Sequence, residues 1–106
     1  MRELVPTRGR VYATDLGYGR KPWLVVSNNA RNAHLATCLA LRITTTPNVR
    51  ERPTVVVLGS GDPLVGRVLC DDLEQIGCDD FVGDLGALTP STMIAVAGGL
   101  RAALAL

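Results

Sequence analysis

The chain has 106 residues, 47% of them hydrophobic, and a formal net charge of +1. That length fits one small domain spanning residues 1–106, and the apolar content excludes a disordered chain. No run approaches the roughly 20 apolar residues that cross a bilayer, so no membrane role is expected.

From the start, M-R-E-L-V-P-T-R-G-R lacks the apolar core of a secretory signal, and the expected location is the cytoplasm. R-G-R-V-Y-A-T reads as a strand over about 9–15, and D-L-G-Y-G-R-K-P as a glycine-marked turn. W-L-V-V-S-N gives a second strand at about 23–28. After the polar N-N-A-R-N-A-H, the run C-L-A-L-R-I-T-T gives a third at about 37–45. T-V-V-V-L, bounded by Pro53 and G-S-G-D-P, gives a fourth at about 54–58, followed by strands at about 67–72 and 84–87. The acidic segment 71–84 is expected to be a solvent-facing hairpin and loop.

Thr89 as N-cap and Pro90 at the first helical position open a helix of about 14 residues. Its apolar stripe is Met93, Val96, Ala97, Leu100 and Leu104. Gly98 and Gly99 cost about 1 kcal/mol each relative to alanine inside a helix, so the expectation is close approach of another backbone there. The class is mainly β (α+β), with about six short strands forming a small barrel and a C-terminal helix.

The near-neutral total hides an asymmetry. Residues 1–67 hold ten Lys/Arg against four Asp/Glu, a balance of +6, whereas residues 68–106 hold one against six, a balance of −5. A face built from the first half would gain the electrostatic attraction that dominates nucleic-acid affinity. Cys38, Cys70 and Cys78 are odd in number and lack metal-ligand spacing, which argues against a disulfide framework or a zinc site. Cys38 and Cys70 read as small apolar strand residues, while Cys78, in a more polar setting, is expected to be exposed. A cysteine nucleophile would need His34, the only histidine.

Two features of the segment from Arg8 to Thr46 could act together. Arg20 and Lys21 form a cation pair at the mouth of one strand, and Thr44, Thr45 and Thr46 a hydroxyl ladder at the end of another. A phosphodiester could sit between them. One histidine does not supply a two-histidine acid/base pair. No His/Asp/Cys cluster favours a bound metal, and Asp71 and Asp72 would point to opposite faces of a strand. Attack by the substrate's own 2′-hydroxyl remains.

These segments resemble the MazF/PemK family of bacterial toxins, which cleave single-stranded RNA. The matching stretches are R-G-R-V-Y at 8–12, K-P-W-L-V-V-S-N-N at 21–29, I-T-T-T at 43–46, V-L-C-D-D-L-E-Q-I at 68–76 and L-T-P-S-T-M at 88–93. The resemblance implies an SH3-like barrel and a homodimer neutralised by a cognate MazE-like antitoxin. It also implies an endoribonuclease that needs no cofactor and no metal, leaves 2′,3′-cyclic phosphate and 5′-hydroxyl ends, and inhibits translation and growth.

On this resemblance Lys21 stands where the family has a catalytic arginine before the proline, and Thr44 matches the catalytic threonine. Either Lys21 is itself the general acid, an ammonium being an easier proton donor than a guanidinium, or Arg20 reaches the phosphate. Thr45 and Thr46 would lie nearby. The turn bearing Tyr18 and Gly19 is shorter than the mobile loop frequent in the family. The Tyr18 ring would either stack on a base or cover core. Trp23 reads as core. Ser27 and Asn28 could hydrogen-bond base edges, and Asp72, in place of the family's frequent glutamine, could alter base choice. Two alternatives share the architecture: a CcdB-like gyrase-poisoning toxin, for which the A-L-A-L ending lacks the expected aromatic, and a noncatalytic SH3-like binding module, whose groove would need more aromatics than this chain has.

Overall fold

The computed structural model describes residues 5–106. The first four residues of the N-terminal segment read above for a signal lie outside the described residues. Six strands form one antiparallel sheet: β1 (Arg10–Asp15), β2 (Arg20–Val25), β3 (Thr37–Thr44), β4 (Val55–Val57), β5 (Arg67–Gly77) and β6 (Gly83–Ala87). Their spatial order is β4-β5-β3-β2-β1-β6. The sheet curls into a half-barrel. A short helix α1 (Asn29–His34) joins β2 to β3, and α2 (Pro90–Leu104) closes the fold against β4 and β5.

Period-two alternation along the strands gives the sheet two buried faces. On one, Val11, Leu24, Leu41, Ile43, Val68 and Cys70 meet Val96 of α2 to make the main core. On the other, Tyr12, Trp23, Val25, Cys38, Ala40 and Ile76 cluster under Phe81, whose ring lies 5.3 Å from that of Tyr12. Each fully buried Val, Leu or Ile contributes roughly 1.5–3 kcal/mol, so both clusters are substantial. The expected core position of Trp23 is met, at 5% exposure.

The expected helix start holds, with Thr89 Oγ1 accepting from Thr92 N and Pro90 in the first turn. Other boundaries differ for identifiable reasons. β2 begins at Arg20, because Arg20, Lys21 and Pro22 pair with Asp15, Thr14 and Ala13 of β1. The ladder to β3 starts only at Trp23, so Pro22 has a strand neighbour on one side, where its missing N–H is tolerated. β5 runs to Gly77, and the acidic segment is therefore mostly strand rather than hairpin and loop. The β3–β5 register shifts between Leu41 and Arg42, whose partners are Leu73 and Leu69. The residues bulged out between those partners break the alternation that would have revealed Leu73 and Ile76 as strand residues.

Helix α1 was hidden in the polar segment. Asn28 caps it by accepting from Ala30 N at 2.8 Å, and Asn32 lies buried on its inner side. Cys78 is buried rather than exposed, because the turn after β5 folds back so that its N–H donates to Ala36 O at 2.8 Å. At Gly99 the close approach is to a side chain, not a backbone: an added Cβ would fall 2.6 Å from Cys70 Sγ. Gly98 faces open space.

Candidate active site

Beside Trp23 the sheet opens into a cleft of about 820 Å³. Strands supply its walls: Lys21 and Trp23 from β2, Arg42 from β3, and Asp72 and Glu74 from β5. The turn between β1 and β2 supplies its rim, including Tyr18. Asp15 shapes that turn by accepting from Gly17 N at 2.8 Å and Gly19 N at 3.1 Å. Gly17 and Gly19 take φ of 108° and 90°, a region open to glycine at little cost. Tyr18 is 79% exposed, so its ring is free at the rim and covers no core.

The position of Lys21 relative to Thr44 follows from register. Trp23 and Arg42 are Cα partners across β2 and β3, the last pair in that ladder. Two residues beyond the end of that ladder, an extension of the same register would set Lys21 opposite Thr44, and alternation puts both on the Trp23 face. Thr44 is buried, at 7% exposure, and lies at the end of β3 rather than in the cleft lining. Its Oγ1 accepts from Thr46 N at 3.2 Å, which orients the hydroxyl and leaves its own proton free to donate. Gly66 backs this strand end. With φ of 152° it comes so close that a Cβ would stand 2.6 Å from Thr44 O.

The remaining sequence candidates divide. Asp72 lines the cleft with Lys21 and Tyr18, and Gly19 belongs to the rim turn. Thr45 and Thr46 are exposed just beyond Thr44. Arg20 is exposed, but alternation along β2 sends it to the face opposite Lys21, and it does not line the cleft. Ser27 and Asn28 lie past the far end of β2 and are not brought to the cleft. The Ser27 hydroxyl donates to Asn32 Oδ1 and accepts from Leu39 N at 2.9 Å, tying α1 to β3, and Asn28 is the cap of α1.

Several lining residues escaped the sequence reading, among them Glu74, Gln75 and the cation Arg42. Arg42 precedes Thr44 by two positions on the same strand, so the rule that aligns i with i+2 would have found it. Its Nε is buried without a hydrogen-bond partner among the described residues. Across the cleft, Asp71 is engaged by Arg52 Nε at 3.2 Å and Thr54 Oγ1 at 2.6 Å.

Thiol chemistry has no footing here. Burial pushes the Cys38 thiol up to about 12, with Cys78 adding to the effect, and pushes Cys70 up to about 11, with Asp71 adding. Neither offers a thiolate near neutral pH. His34 is exposed on α1 with Nδ1 2.7 Å from Ala30 O. Among the described residues no three His, Cys, Asp or Glu side chains gather in a way that could hold a metal ion. No helix among them is long and apolar enough to cross a membrane.

The site is thus an open cleft in a half-barrel closed by one helix, with Lys21 and Arg42 in its lining and a buried strand-end threonine on the same strand as Arg42. Residues 7–104 match the family described as PemK-like, MazF-like toxin of type II toxin-antitoxin system. The chain is 52% identical over 101 residues to Endoribonuclease MazF1 of Mycobacterium bovis, which covers 95% of this chain and 94% of that one. Endoribonuclease MazF4 of Mycobacterium tuberculosis matches to the same extent. A solved mycobacterial endoribonuclease in complex with its cognate antitoxin superposes with a TM-score of 0.91 at 51% identity, covering 95% of this chain and 96% of that chain. The chain belongs to the PemK-like, MazF-like family and is a MazF-type endoribonuclease toxin of a toxin-antitoxin system. The gyrase-poisoning and peptide-binding alternatives are set aside by that membership.

Proposed function

We propose that the chain is a sequence-selective, metal-independent endoribonuclease that cuts single-stranded RNA through the substrate's own 2′-hydroxyl. The observation that carries this reading is Lys21 in the cleft, on the face that alternation along β3 also gives to Thr44. The 2′-oxygen attacks phosphorus and gives its proton to solvent. The Thr44 hydroxyl donates to a phosphoryl oxygen as negative charge builds there. Lys21 gives a proton to the departing 5′-oxygen as its bond to phosphorus breaks, and is reprotonated from water. The products are a 2′,3′-cyclic phosphate and a 5′-hydroxyl. Of the two cations at the start of β2, Lys21 suits the acid role and Arg20, turned away, suits binding of flanking phosphates. Tyr18 offers a face on which a base can stack. Asp72 offers a carboxylate to an exocyclic amine.

In this reading the protein works in the cytoplasm as a homodimer. It stops translation and growth until a small acidic, partly disordered antitoxin covers its basic face. The solved mycobacterial relative with its cognate antitoxin supports such a partner. The test is total RNA incubated with purified protein in excess EDTA, with both new ends mapped. Cleavage giving cyclic phosphate and 5′-hydroxyl ends is expected. Activity lost on chelation and regained with Mg²⁺ would contradict the mechanism, and a monomer in light scattering at micromolar concentration would contradict the assembly.

A further inference from the structure

We propose that Arg42 touches the scissile phosphate and supplies there the guanidinium that Lys21 cannot. This inference rests on the cleft being the ribonuclease site. Arg42 and Trp23 are directly paired across β3 and β2, the last pair of that ladder, and extending the same register by two residues would set Lys21 beside Thr44 on the same face. Arg42 lines the same cleft as Lys21. Thr44 and Arg42 stand two residues apart on one strand, so an anion held by the Thr44 hydroxyl lies within the reach of both cations.

The state of the Arg42 guanidinium points the same way. Four other arginines are engaged, Arg8 donating to Val26 O, Arg10 to Asp84, Arg31 to Thr37 O and Arg52 to Asp71, and of the rest only Arg42 and Arg67 have a buried, unpartnered Nε among the described residues. Arg42 forms no hydrogen bond or ion pair with a described residue, although its Nε is buried. A buried Nε donor without an acceptor is costly to leave unmet, and an oxyanion in the cleft would meet it. Asp72 and Glu74, on the facing wall, do not pair with it either.

Chemistry then divides the task between the two cations. An ammonium is a point charge able to lose a proton. A guanidinium keeps its proton and grips two phosphoryl oxygens side by side. Lys21 therefore serves the leaving 5′-oxygen, and Arg42 the two nonbridging oxygens that gain charge as the 2′-oxygen adds. Arg67 is the competing candidate: it is the Cα partner of Thr44 and its Nε is likewise buried without a partner among the described residues, but unlike Arg42 it does not share the cleft with Lys21.

The experiment is single-turnover cleavage of an RNA carrying the site mapped on total RNA. It compares the native protein with Arg42→Ala, Arg42→Lys and Arg67→Ala, each verified as folded by circular dichroism. Binding is measured in parallel on the same oligonucleotide with a 2′-deoxy sugar at the attacking nucleotide. Arg42→Ala is expected to lose on the order of 10²-fold in rate with about tenfold or less in binding. Arg42→Lys should remain at least about tenfold below native, because lysine cannot form the fork. Sulfur at a nonbridging oxygen should slow the native protein more than Arg42→Ala, a signature that a purely structural role would not produce. If Arg42→Ala fails to fold, the Lys variant carries the test by itself.

A native rate for folded Arg42→Lys, a loss confined to binding, or a larger loss in Arg67→Ala than in Arg42→Ala would overturn the inference. Failure of the underlying reading looks different, since Lys21→Ala would then cleave at the native rate or the native protein would leave no cyclic phosphate.

Discussion

One sheet carries two faces with different duties. The face under α2 is closed by Leu24, Leu41, Ile43, Val68 and Val96, each at 1% exposure or less. The opposite face begins as a core, with Tyr12, Trp23 and Phe81, but ends at Lys21, Arg42 and Arg67, where two guanidinium nitrogens are buried without partners among the described residues. A donor held from water without an acceptor costs stability, so folding alone does not account for these two Nε groups. In the proposed reading the reactive residues lie at the open end of the second face, and strand alternation assigns residues between the two faces.

The sharpest test uses two residues three positions apart on β2. Leu24 is fully buried under α2, and Leu24→Ala should cost about 2–5 kcal/mol, read as a drop in denaturation midpoint. Lys21→Ala should leave that midpoint within about 0.5 kcal/mol, since the side chain is exposed, but lose on the order of 10²-fold in cleavage rate. Should Lys21→Ala unfold the protein, or Leu24→Ala leave it as stable as before, the division between the faces would collapse.

How much of this division was legible in the sequence depended on periodicity. Where apolar residues alternate without interruption, as in V-Y-A-T or C-L-A-L-R-I-T, strands and faces could be placed. The helix was marked by Thr89 and Pro90. Where alternation is broken by the bulge at Cys70, Asp71 and Asp72, the rest of β5 disappeared into an acidic loop. Helix α1 is too short for its period to show, and its anchor is a polar knot between Ser27 and Asn32 rather than an apolar stripe. The site was legible in part for the same reason. Lys21 and Thr44 were named through the family pattern, while Arg42 belongs to no motif and emerges only from its register with Trp23.

A smaller effect separates two neighbouring glycines of α2. Gly99 is pressed against Cys70, so Gly99→Ala should destabilise by about 1–3 kcal/mol through overpacking of the helix-covered core. Gly98 has nothing within 4 Å of its missing Cβ, and Gly98→Ala should stabilise by about 1 kcal/mol through helix propensity alone. Thermal unfolding of both variants reads the contrast. A loss at Gly98 instead would mean that this stretch of α2 is covered by a second chain.

The smallest predicted effect concerns the loop that fastens α2 to the core side. Asp62 accepts from Thr89 N at 2.8 Å, Thr92 Oγ1 at 2.7 Å and Gly59 N at 2.7 Å, and so acts as a second cap at the positive end of the helix dipole. Burial alone would raise its carboxyl, but these hydrogen bonds outweigh it and hold the group below its ordinary value. A carboxyl whose folded value is depressed contributes stability that is fully present above its unfolded value of about 4, and that stability is lost as pH falls through the folded value. Asp62→Asn should therefore be less stable than the native protein at pH 7 by about 1 kcal/mol, and the gap should narrow as the pH is lowered below about 4. Asp84 keeps an acid-sensitive contribution in both proteins. Burial alone would raise it too, but the hydrogen bond from Arg10 at 2.9 Å outweighs that and lowers it. The slope below pH 4 should consequently shrink in the variant without vanishing. Denaturant midpoints of the two proteins at several pH values measure this directly, and a gap that stayed constant down to pH 2 would show that Asp62 holds α2 by shape rather than by charge.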